Sequence, residues 1–178
     1  MEAMKKISIV TFKWKLRKNK NAPCKLHKRV YRADHVNICY DSIKRNTTVP
    51  FDFYCVTDDS SDLNPEIKII NLWDKCIDLG GCFNRLYMFS PEMQNYFGDR
   101  FITIDLDCVI VNNIDSILSR PEDFVINSFL GEGFNQQYNG SLILQNSGCR
   151  SEVWNKFDYE TSPHILSKLK AENQLIGS

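Results

Sequence analysis

This chain of 178 residues has no excess of either charge, no long apolar run, no paired-cysteine motif and only three histidines. Each lack removes a class of protein. Twenty-two Lys and Arg against 22 Asp and Glu leave a formal net charge of zero, so a general nucleic-acid coat, which leans on surplus basic residues, is not expected. No stretch approaches the roughly 18 apolar residues that span a bilayer, so no transmembrane segment is expected. The opening MEAMKKISIVTFKWK is basic, but its apolar run ends at Lys13, short of a secretory signal. The seven cysteines (Cys24, Cys39, Cys55, Cys76, Cys82, Cys108 and Cys149) contain no C-x-x-C pair, which argues against a zinc or redox motif. Several lie inside apolar stretches, where a reduced thiol behaves as a small hydrophobe, and a reducing, cytoplasmic setting is the expectation. Internal repeats and low-complexity tracts are also missing.

What remains is ordinary globular composition, 43% hydrophobic and 25% charged. At about 150 residues per domain the chain makes a single domain over residues 1–178, long enough to fold without a disulfide or metal staple. One asymmetry stands out: residues 13–32 hold nine Lys or Arg and no acid. A solvated loop and helix face is the plainer account of that run, ahead of a patch that attracts phosphate.

Apolar patterning predicts strands at ISIVTF (7–12), FDFYCVT (51–57), IKIINL (67–72), FITIDLDCVIV (101–111), FVINSF (124–129) and SLILQN (141–146). Helical spacing predicts one or two helices over 26–45, another over 82–89 that extends through Pro91 to Phe97, a short one at 114–118, and two more at 152–157 and 163–169. Strands alternating with helices point to an α/β sheet with helices on its faces, and ligands in such sheets bind at the carboxyl ends of the strands.

The sharpest chemical signal is Asp105-Leu106-Asp107 within the apolar 101–111 run. On a strand, positions i and i+2 share a face, and two carboxylates there repel unless a divalent metal, an Arg or Lys, or solvent stands beside them. Oxygen ligands alone suit a hard ion, Mg2+ or Mn2+, completed by waters and a substrate diphosphate. If the strand instead ends at this point, both aspartates are simply hydrated.

A phosphatase of the haloacid-dehalogenase kind also places D-x-D after an apolar strand, but usually opens with it. Here only 71 residues follow Asp107, and Cys108 stands where a small glycine is expected. The wider order of blocks resembles a group of GT-A-fold glycosyltransferases. In these an opening strand precedes Lys-Trp, a helix like YRADHVNICYDSIKRN and a strand like FDFYCVTDD. A helix like FNRLYMFSPE follows, then a D-x-D strand like FITIDLDCVIVNNID and a turn and strand like YNGSLIL. The resemblance covers roughly residues 6–178. It implies a GT-A, Rossmann-like domain with a mixed, mostly parallel sheet flanked by helices. The implied activity is a metal-dependent transfer of sugar from a nucleoside-diphosphate donor, UDP-sugar foremost, to a glycan, lipid or protein hydroxyl.

The resemblance also implies roles. Thr11, Phe12, Lys13 and Trp14 line the nucleotide pocket, with Trp14 offering a face to the base. Asp58 or Asp59 accepts from a uracil imide or ribose, and Arg85 pairs with Asp105 or a phosphate. Asp105 contacts ribose or a metal-bound water, Leu106 lies in the donor site between the aspartates, and Asp107 coordinates the ion, so that Asp105, Asp107 and Arg85 form the catalytic set. Asn139, Gly140 and Ser141 floor the donor sugar, where glycine permits close backbone approach. Relatives continue with an Asp-Gln pair and often a metal-binding His, whereas this sequence stops at Ser178, and His27, His35 and His164 lie in other blocks. Either the domain is truncated at its carboxyl end, or the ion is held by one or two carboxylates, nucleotide and water. Glu132 and Asp158 are the acids at hand for a catalytic base. A non-catalytic nucleotide- or glycan-binding module is the alternative, with the D-x-D phosphatase behind it.

Overall fold

A computed structural model describes residues 6–15, 31–76, 83–128 and 138–158. Its framework is one six-stranded sheet in the order β3-β2-β1-β4-β6-β5. The strands are β1 (Ile7–Lys13), β2 (Phe51–Thr57), β3 (Lys68–Asn71), β4 (Arg100–Ile104), β5 (Phe124–Ser128) and β6 (Tyr138–Asn146). The first four run parallel, while β6 is antiparallel to both β4 and β5. All seven residues of β1 are buried, as a central parallel strand covered on both faces requires.

Alternation along β1 feeds two cores. Ile7 and Ile9 join Phe53, Cys55, Ile102 and Ile104 beneath α1 (Ala33–Arg45), whose Val36, Cys39 and Ile43 are fully or almost fully buried. Val10 and Phe12 face the other way, against Val56, Trp73, Phe101 and Ile143. That face is covered by a 3-10 segment, Phe83–Phe89, and by α2 (Met93–Phe97). Two short helices, α3 (Asp115–Leu118) and α4 (Ser151–Asn155), and a 3-10 turn, Asp74–Cys76, complete the described elements. Among the described residues no helix is long and apolar enough to cross a membrane.

Three expectations need correction. The 101–111 run is a strand only to Ile104, so Asp105 and Asp107 are not strand neighbours on one face but lie in the turn beyond it. Val109 and Val111 continue the alternating pattern yet are 69% and 74% exposed, while Cys108 and Ile110 pack inward. The helix expected over 82–97 is two pieces, because Pro91 interrupts it and Ser90 Oγ, not a helical carbonyl, receives the Glu92 N–H at 3.2 Å. Asn139-Gly140-Ser141 is not a turn before a strand but part of β6 itself. Of the 26–45 helix, residues 33–45 are helical; residues 26–30, His27, the Gly80-Gly81 pair, Cys24, Cys82, Glu132, His164 and the 163–169 helix lie outside the described residues. His35 sits in the first turn of α1, where its Nδ1 accepts the Arg32 N–H at 3.1 Å.

All five described cysteines are free, and burial pushes the thiols of Cys39, Cys55 and Cys76 up to about 12.

Candidate active site

The chain builds β1, β2 and β3 outward to one side and then places β4 on the other side of β1. The carboxyl ends of β1 and β4 therefore flank a topological switch point, the position where open α/β sheets bind ligands. Thr11 Oγ1 donates to the Ile104 carbonyl at 2.9 Å and ties those two ends together. Just past Ile104, the Asp105 N–H donates to the Ser141 carbonyl at 2.8 Å, and the Cys108 N–H closes the turn on the Asp105 carbonyl at 3.0 Å. Leu106, 7% exposed, plugs into the α1 side of the core and so anchors the turn between the two aspartates. Asn46 holds the following loop: its Nδ2 donates to the Ile110 carbonyl at 3.1 Å, and its own carbonyl receives the Ile114 N–H at 2.9 Å. Nothing in the sequence singles Asn46 out, since an Asn after a helix is an ordinary cap.

Arg85 gathers the site. The 3-10 segment that carries it is pinned by buried Asn84, Tyr87, Met88 and Phe89. Its Nη1 lies 2.6 Å from Asp105 Oδ1, with the side chains only 22% and 25% exposed. Its Nη2 donates to the Gly140 carbonyl at 2.9 Å, and the guanidinium lies over the Phe12 ring at 5.6 Å. One planar group thus joins the first strand, the D-x-D turn and β6, using the fork geometry that a lysine lacks. Arg85 Nε is buried with no hydrogen-bond partner among the described residues.

Burial holds the Asp105 carboxyl above its usual range; the Arg85 guanidinium pulls the other way, and Asp107 adds repulsion. A carboxyl raised in the fold stabilises the protein below the ordinary carboxylate range, and that contribution is lost as pH rises through the raised value. Asp105→Asn, which removes the charge and keeps an oxygen for Arg85, should therefore unfold at a higher temperature than the wild type at pH 7. The gap should close toward pH 4. About 1 kcal/mol corresponds to roughly 2–4 °C here, and a melting series across that range reads it.

At the carboxyl end of β1, Lys13 is 6% exposed and its Nζ donates to the Asp59 carbonyl. Asp59 is held in turn by Thr57 Oγ1, which accepts its N–H at 3.0 Å, and its Oδ1 accepts the Ser61 N–H at 3.0 Å. Those Ser61 bonds, with Lys13 nearby, keep the Asp59 carboxyl below its usual range. Asp58 receives the Lys15 N–H on both carboxylate oxygens, each at 3.2 Å. Trp14 is half-buried and stands edge-on to Phe12 at 5.7 Å, with Trp73 beyond at 6.3 Å from Phe12.

The β6 floor is irregular. β5 pairs Ile126 with Ile143 and then Asn127 with Asn139, so residues 140–142 bulge out of that ladder. Asn139 Oδ1 accepts the Ser141 N–H at 2.7 Å within the bulge. Among the described residues, a Cβ placed on Gly140 would meet only Ile143 Cδ1, at 3.8 Å, so these residues do not require glycine there. Asp107 is exposed in the turn after β4, and Asp158 is exposed beyond α4. Among the described residues no group of three or more His, Cys, Asp or Glu converges on one point. An ion here would use Asp107, with or without Asp105, and complete its shell from substrate oxygens and water, which suits Mg2+ or Mn2+.

No family model matches the sequence, and no curated protein matches it. Solved structures do. The galactosyltransferase LgtC in complex with donor and acceptor sugar analogues superposes with a TM-score of 0.55 at 10% identity, covering 93% of this chain and 66% of that one. The apo form of the glycosyltransferase GlyE of Streptococcus pneumoniae TIGR4 gives 0.53 at 12% identity, over 93% of this chain and 38% of that one. A second structure of GlyE gives 0.52 at 13% identity, over 95% and 39%. The chain thus spans less than two thirds of these proteins. The mixed, mostly parallel six-stranded sheet flanked by helices is the GT-A fold.

Proposed function

We propose that this chain is a nucleotide-sugar glycosyltransferase that uses Mg2+ or Mn2+ and takes its donor, UDP-sugar foremost, in the cleft at the carboxyl ends of β1 and β4. The observation that carries the reading is Arg85, which joins Asp105, the Gly140 carbonyl and the Phe12 face beside an exposed Asp107. The likeness to GlyE and LgtC supports it at the level of the fold.

Asp107, with Asp105 behind it, would hold the ion, which when bound neutralises charge on the departing nucleoside diphosphate. Thr11, Phe12, Lys13, Trp14, Asp58 and Asp59 form the base and ribose end. Leu106 sets the spacing of the two aspartates, and Asn139, Gly140 and Ser141 lie under the sugar. Arg85 orients the Asp105 carboxylate through its guanidinium. A glycan, lipid or protein hydroxyl held in line would gain much of the remaining acceleration from positioning alone. Asp158 and Glu132 are the acids for its proton.

Calorimetric titration with UDP and, in parallel, GDP, with manganese present and then with chelator, tests the reading. Manganese-dependent binding of one nucleotide is the expected result; binding of neither removes the reading. Gly140→Ala refines it. The substitution should leave the unfolding midpoint within about a degree, since the added methyl has room, and leave UDP affinity unchanged. Turnover of the donor sugar should fall about tenfold, because the methyl stands where the sugar approaches.

A second reading is a module that holds nucleotide or glycan without turnover. Transfer or hydrolysis of a UDP-sugar by the 178-residue chain excludes it.

A further inference from the structure

We propose that Asp58 is a positioning residue: with Lys13 it latches the loop after β1 to the turn after β2, and so sets Trp14 at the nucleotide end of the cleft. The proposal rests on the nucleotide reading above and gives Asp58 a role within it that requires no contact with the ligand.

The argument starts where the ladder stops. β1 and β2 pair in parallel register from Ile7 opposite Phe51 to Lys13 opposite Thr57, and beyond that pair no backbone bond joins the two strands' continuations among the described residues. Side chains take over, one in each direction. The Lys13 ammonium, on the β1 side, donates to the Asp59 carbonyl of the β2 turn. The Asp58 carboxylate, on the β2 side, receives the Lys15 N–H evenly on its two oxygens, at 3.2 Å each.

The turn that anchors both bonds is itself fixed, by Thr57 Oγ1 on the Asp59 N–H and by Asp59 Oδ1 on the Ser61 N–H. Trp14 is the residue between the two latched positions. Its backbone is held from both sides, and its half-buried ring stands against Phe12, which carries Arg85 on its face. An amide hydrogen bond to a carboxylate is stronger than one between neutral groups, and both Asp58 oxygens are already engaged with the chain's own backbone. The ring proposed to meet a base is therefore oriented by a bond at the next residue, Lys15.

The test is amide exchange of Lys15 by NMR in the nucleotide-free protein, beside calorimetric UDP affinity with manganese, for the wild type, Asp58→Ala and Asp58→Asn. In Asp58→Ala the Lys15 amide should exchange about tenfold faster and UDP should bind about tenfold more weakly, with the thermal midpoint unchanged. Asp58→Asn retains one acceptor oxygen and should recover most of both. Weaker UDP binding with an unaltered Lys15 amide would make Asp58 a direct contact and overturn the proposal. Faster exchange with unaltered affinity would leave a latch that positions nothing, and would overturn it too. A wild type that binds neither UDP nor GDP refutes the nucleotide reading itself, and the exchange measurement, made without nucleotide, still decides the latch.

Discussion

Asp107→Ala is expected to abolish manganese-dependent UDP binding while leaving the folded domain intact. Asp107 is exposed in the turn after β4, and the electrostatic influence it exerts on Asp105 is repulsive. Deleting it therefore costs the fold nothing and relieves a like-charge contact, so the unfolding midpoint should hold or rise slightly. The effect on the ion is opposite. Loss of an outer-shell group at a metal site already costs about 10–100-fold, and loss of a direct ligand should cost at least about 100-fold in nucleotide affinity, roughly 2.7 kcal/mol. The same titration repeated with chelator gives the reference: Asp107→Ala with manganese should look like the wild type without it. Retention of manganese-dependent binding in the variant would take the metal role away from Asp107.

Arg85→Ala should be the most damaging substitution in the site for stability as well as binding. It strips Asp105 of its counter-ion, the Gly140 carbonyl of its donor and the Phe12 ring of its cation at once. Breaking a fully buried pair from one side costs about 3–5 kcal/mol. With about a quarter of each side chain exposed, about 2 kcal/mol is expected. Arg85→Lys keeps the charge but cannot reach two oxygens in a plane, and should recover less than half. The informative combination is Arg85→Ala with Asp105→Asn. If the damage comes from an orphaned carboxylate, the double variant should be more stable than Arg85→Ala alone. Urea unfolding of the four proteins closes the cycle, and strict additivity would show that the pair contributes nothing through its contact.

Much of the parallel half of the sheet is legible in the sequence. ISIVTF and FDFYCVT are short, β-branched and aromatic runs flanked by polar breaks, and both are strands within a residue of the expected ends. The antiparallel half is less so, because the signals there conflict. Cys108, Val109, Ile110 and Val111 look like two more turns of pleat, but burial at Cys108 and Ile110 comes from an irregular loop pinned by Asn46, which alternation cannot distinguish from a strand. Asn139-Gly140-Ser141 has turn chemistry and forms a bulged strand, since pairing with Asn127 and Ser128 overrides local preference. The expected pairing of Arg85 with Asp105 is present in the structure. The third partner, the Gly140 carbonyl, was out of reach, because no pattern of side chains reveals where a backbone oxygen points.

On the proposed reading, the bulge at residues 140–142 bears on how the donor range of such a domain could be changed. Gly140 has no register partner on β4 or β5 and is fastened through its carbonyl to Arg85, whereas the base end rests on a seven-residue parallel ladder. A change in the bulge would reach the rest of the site through the Gly140 and Ser141 carbonyls, which hold Arg85 and the Asp105 N–H. On the proposed reading, side chains at residues 139–141 that leave those two carbonyls in place can alter the sugar end while the β1–β2 ladder at the base end stays as it was.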